Sequence, residues 1–162
     1  MSENDLLAGR LGGQRDHVVG ILEGLTEEEL RRPMLPSGWG CLGLLQHLAV
    51  DVEQLWFRGV VAGDRAAIDE VLQYGAWHVG PETSAASVFD RYRRESAAAD
   101  AIIAAASLDA APGLWPDDLF SGWCYDTVRE VILHVLVETA THAGHLDAAR
   151  ELIDGRTWLV LD

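Results

Sequence analysis

His134, Glu138, His142 and His145 stand in one otherwise apolar stretch, residues 131–147, and all four side-chain types bind metals or move protons. On an α-helix turning about 100° per residue, with Glu138 as the origin, the three histidines fall at roughly −40°, +40° and −20°. One stripe therefore holds all four. The stripe runs where a helix of a globular protein is expected to place buried aliphatic side chains, and buried imidazoles and carboxylates are costly unless paired or bound. A ligand site is the sharpest way to satisfy them.

A mononuclear divalent metal that acts on a substrate needs about three protein donors with a position left open. Nitrogen and carboxylate donors suit zinc, nickel, iron or manganese. His47, set among apolar residues in Cys41-Leu42-Gly43-Leu44-Leu45-Gln46-His47-Leu48-Ala49-Val50, supplies a donor from a second helix. With Glu138 and His142, one helical turn apart, it makes a three-point anchor. His145 stands as an alternative to Glu138, as a hydrogen-bond partner of a ligand, or as a proton shuttle. Asp51, one turn after His47, either orients its free ring nitrogen or is solvated. Trp39 and Trp123 are expected at a pocket mouth, and His17 and His78 in surface or packing roles. A di-iron carboxylate site is disfavoured, because the chain shows no pair of Glu-x-x-His motifs.

These residues need long helices to position them. Leu7, Leu11, Val18, Ile21 and Leu22 predict a helix over residues 4–25, and a second is expected over residues 41–61, after the turn Pro36-Ser37-Gly38-Trp39-Gly40. A third is expected over residues 84–107 and a fourth over residues 127–154, closed by Gly155 in the left-handed cap position. Thr26 with Glu29, and Thr127 with Glu130, read as capping boxes. A short helix is expected over residues 65–73. Residues 108–126 form a long loop with Trp115, Phe120, Trp123 and Tyr125, and a loop of that length inside a compact domain is often functional. The tail around residues 157–161 is β-prone and is expected to pack back on the helices. An all-α, four-helix bundle in a single domain over residues 1–162 follows.

Charge removes whole classes of partner. The 162 residues carry 26 acidic and 12 basic side chains, a formal charge of −14, so a polyanion is repelled and nucleic acid is excluded as a partner. No apolar run reaches about 18 residues and the N-terminus lacks a signal-peptide pattern, so a cytoplasmic protein without membrane contact is expected. Cys41 and Cys124 are read as free thiols.

Gln46-His47-Leu48-Ala49, the segment from Glu138 to Asp147 and Arg150-Glu151-Leu152-Ile153-Asp154-Gly155 together resemble the DinB-like superfamily, in particular its mini-circle protein branch. Pro36-Ser37-Gly38, the run from Asp51 to Phe57 and Gly122-Trp123 extend the likeness over most of the chain. The resemblance implies an up-down-down-up bundle, a homodimer, and a metal held by three residues, matching His47, position 138 and His142. Many members have His where this chain has Glu138, and Gln where it has His145. The chemistry implied is transfer or isomerisation with a low-molecular-weight thiol of mycothiol or bacillithiol type, activated on zinc or nickel, with a small electrophile as partner. A non-catalytic stress-response protein binding a metal or small ligand, and a metal-dependent hydrolase, are the alternatives.

Overall fold

The computed structural model describes residues 1–158, and all regular structure among them is helical. Helix α1 spans Glu3–Leu22, α2 Glu27–Arg31, α3 Cys41–His47, α4 Arg65–Gln73, α5 Ala85–Ala105 and α6 Val128–Asp154. Each of α1, α2 and α6 starts at a reciprocal capping box, formed by Ser2 with Asp5, Thr26 with Glu29 and Thr127 with Glu130. The last two were expected from sequence. Gly155 closes α6 with φ 78°, the left-handed conformation that costs a glycine least.

The expected second helix is two kinds of helix. After His47 the chain continues without a break as a π-helical segment, Leu48–Val61, whose widened hydrogen bonding is visible where Ala62 N–H donates to the Phe57 carbonyl at 2.9 Å. Most of its side chains are buried around the whole circumference, as befits the central element of the bundle. It packs against α4, α5 and α6, while α1 packs against α5 and α6.

Side-chain pairs fix the helix directions. Glu3 meets Arg129, His17 meets Asp147 and the Ile21 carbonyl accepts from Arg150, so α1 and α6 run the same way. Gln54 meets Arg91 and Arg58 meets Glu95, so the π-helical segment and α5 also run together. Asn4 reaches the Ile103 carbonyl and Arg15 reaches Asp100, whereas His47 lies beside His142 and Trp56 beside His134. The two pairs therefore oppose one another.

Polar groups inside the bundle are paired across elements. Arg15 donates to both Glu53 oxygens at 2.7 and 2.6 Å, in a bidentate ion pair almost free of solvent. Gln46 donates to the Ala76 carbonyl at 2.7 Å and the His78 carbonyl at 3.3 Å, which ties the segment before α5 onto α3. Gly43 makes that approach feasible: a Cβ there would lie 2.6 Å from the Trp77 carbonyl oxygen. Trp158 stacks on His17, with ring centroids 4.7 Å apart; the rest of the β-prone tail lies outside the described residues.

Candidate metal centre

The four-residue stripe of α6 flanks the buried face instead of replacing it. Val131, Ile132, Val135, Thr139, Ala143 and Leu146 fill the core, while His134, Glu138 and His142 are half-buried and His145 is exposed. The expectation of a stripe inside the core is thus corrected. Interior positions went to aliphatic side chains and to Thr139, whose hydroxyl donates to the Val135 carbonyl, and the ionisable ones took the seam facing the second helix, where partial solvation reduces their burial cost.

His47, at the C-terminal end of α3, faces Glu138 and His142 across that seam, and one donor atom from each of the three lies within 4.8 Å of the others. His142 Nε2 is 3.5 Å from Glu138 Oε2, as i, i+4 spacing permits. His47 Nδ1 donates to Asp51 Oδ2 at 2.7 Å, so its Nε2 is the nitrogen left for a ligand. The Nδ1 atoms of His142 and His145 are 3.3 Å apart, which leaves His142 Nε2 on the Glu138 side. Burial first, and then the neighbouring His47, holds the His142 pKa below its usual value, so its lone pair is available at neutral pH. Two imidazoles and a carboxylate at this spacing are a donor set that a divalent cation could share. His145 is outside the trio, at its rim.

Trp77 was missed in the sequence. Its ring stacks on His47 with centroids 4.3 Å apart and planes 22° from parallel, and it meets His142 edge-on at 6.0 Å. Only its place between Gly75 and Pro81, in a segment without periodicity, was visible beforehand. Trp39 tilts against His145 at 6.3 Å and borders a hollow of about 370 Å³ together with Ser37, Gly38, Trp77 and His78.

His134 lies one turn before Glu138, in a separate aromatic cluster. Tyr125 Oη is 3.0 Å from His134 Nδ1, and the Trp56 ring meets the imidazole edge-on at 4.5 Å. Trp115, Phe120 and Trp123 of the long loop complete the cluster around Trp56. The loop is anchored there by Gly113 and Leu114 N–H groups donating to the Val61 and Val60 carbonyls. Cys41 is buried in α3, and its thiol is pushed up to about 11 by desolvation.

An all-helical bundle with a His/Glu/His cluster on the seam between two of its long helices defines the class of protein. The family model described as mycothiol-S-transferase matches residues 6–155, and the chain belongs to that family, which lies within the DinB-like superfamily. Neither the curated proteins nor the solved structures yield a match. Among the described residues no helix is long and apolar enough to cross a membrane.

Proposed function

We propose that this chain joins a thiol of the mycothiol type to a small electrophile, at a divalent metal held by His47, Glu138 and His142. The convergence of those three donors within 4.8 Å carries the reading. Zinc or nickel suits two imidazole nitrogens and one carboxylate oxygen, and three protein donors leave a position for the thiol. A cation held by these residues would supply an electrostatic pull that favours the ionised form of the substrate's thiol at neutral pH.

The residues around the cluster have separate tasks. Asp51 fixes the tautomer and orientation of His47, while burial keeps His142 neutral and able to donate its lone pair. His145, exposed beside His142, accepts the hydrogen bond of the Nδ1–H that His142 carries when its Nε2 serves the cluster, and so holds that tautomer, while the proton that the thiol loses passes to water. The sulfur then forms a bond to carbon, and the displaced group of an aryl halide, or the opened oxygen of an epoxide, keeps the bonding pair. Trp123 and its aromatic neighbours on the His134 side offer an apolar wall for the electrophile. The two unpaired cysteines agree with a reducing cytoplasmic setting. In this reading the chain acts as a homodimer, which its mass in solution tests.

Elemental analysis of untagged protein, followed by incubation with a thiol panel and a chlorinated aromatic, tests the proposal. Wild type is expected to carry stoichiometric metal and to form a thioether with mycothiol, and His47→Ala and His142→Ala to lose both. Wild type without stoichiometric metal under several growth supplements would remove the metal from the mechanism. Metal-dependent turnover without any thiol would favour hydrolysis, and bound metal without turnover a binding protein.

A further inference from the structure

Trp77 has two faces, and the cluster uses one. The other borders open space: the residue is 44% exposed although its ring lies on His47. Beside it opens a hollow of about 470 Å³, bounded by Glu27, Arg31, Gly40, Gly43 and Pro81 among others. This hollow and the smaller one beside Trp39 share Gly38, Trp77 and His78, so they form one cleft whose inner wall is the indole lying against the cluster. Small-molecule sites typically measure about 300–1,000 Å³.

The polar groups of this cleft select among ligands. Arg31 has no nitrogen free for an anion: Nε and Nη2 bind Glu27, Nη1 the Val79 and Gly80 carbonyls, and Nη2 also the Thr83 carbonyl. Glu27 adds a negative charge, since Arg31 hydrogen-bonded to it holds its pKa below the usual range. Glu27 Oε1 accepts from Arg31 and from the Ala85 amide, while Oε2 accepts no hydrogen bond among the described residues. A phosphate or carboxylate is therefore disfavoured. An aliphatic ligand would cover that carboxylate oxygen without satisfying it. A polyhydroxylated ring fits both features, with its C–H face on the outer side of the indole and a hydroxyl donating to Glu27 Oε2.

We propose that this cleft binds the sugar portion of the thiol substrate, stacked on the outer face of Trp77, with the sulfur arm reaching past the indole to the cluster. The inference rests on the thiol-transferase reading and adds where the substrate is recognised. The probe is glucosaminyl-inositol, the pseudo-disaccharide left when the cysteinyl arm of mycothiol is removed, titrated calorimetrically into the whole protein. Wild type is expected to bind it saturably, and Val79→Trp, which fills the cleft, to weaken binding tenfold or more. The ratio of kcat/KM for mycothiol over N-acetylcysteine should fall by a similar factor. His78→Ala, which removes one wall, should move both readouts in the same direction and carries the test if Val79→Trp loses its helical circular dichroism. No saturable binding to wild type, tighter binding of inorganic phosphate than of the sugar, or unchanged values in a folded Val79→Trp would each overturn the proposal. Should the sugar bind while no thiol is turned over, the transferase reading falls and the cleft assignment stands.

Discussion

Asp51 Oδ2 sits 2.7 Å from His47 Nδ1, one helical turn away, and so decides which nitrogen His47 turns toward Glu138 and His142. Asp51→Asn is nearly isosteric and removes the charge that holds the tautomer. Loss of such a partner typically weakens metal binding by about 10–100-fold. Competition with a chromogenic chelator measures this, and an affinity equal to wild type would show that Asp51 does not orient the ligand.

Gly43 controls Trp77 from a distance. A methyl group at this position would lie 2.6 Å from the Trp77 carbonyl oxygen, and backbone yields less readily than a side-chain tip. Gly43→Ala is expected to cost about 1–3 kcal/mol of stability as an overpacked site and to lift the indole from His47. Urea unfolding reads the first effect, and reduced thiol turnover in the folded variant reads the second.

Arg15 and Glu53 are both buried, and their bidentate bond joins α1 to the π-helical segment. Removing one partner of such a pair leaves a charge without compensation, at a cost of about 3–5 kcal/mol. Arg15→Ala should show this loss in urea unfolding, whereas Arg15→Met combined with Glu53→Leu should recover most of it. A double variant as unstable as the single one would argue against an uncompensated charge as the cause.

His134 gives the fold a pH dependence of defined sign. Burial holds its pKa below the ordinary histidine value of 6.5, with the Glu138 carboxylate opposing. The unfolded chain therefore binds more protons than the folded one between the depressed value and 6.5. Stability from this group is complete above 6.5, is lost as pH falls through that window, and levels off below the folded value. Unfolding free energies of metal-free wild type and His134→Gln, measured from about pH 7 to about pH 5, should differ in slope. Parallel curves would exclude His134 as the source.

Periodicity made the long helices and the stripe of His134, Glu138, His142 and His145 legible, because direction around a helix is written in residue spacing, while the choice of Glu138 over His145 came from the family resemblance. Height along the bundle is not. His134 shares the stripe, yet the fold of residues 108–126 gives it to Tyr125 and Trp56. Trp77 was invisible because its position depends on Gly43 and on Gln46 reaching across 30 residues to the Ala76 carbonyl, and neither tie has a local pattern. The widening after His47 also has no compositional mark, since bonding to the fourth or the fifth preceding carbonyl uses the same apolar residues. The burial of Arg15 has no local pattern either, since it depends on Glu53 of the π-helical segment lying opposite.

The trio is drawn from two helices far apart in the chain, His47 from α3 and both remaining donors from α6. A chain still being synthesised holds one donor until α6 has been made, and joining distant segments waits on closure of most of the fold. A cation held by all three donors could therefore assist only the last stage of assembly, when α6 closes on α3. Under the proposed function, loading would be the last step of maturation, and truncation before Val128 would remove two of the three donors at once.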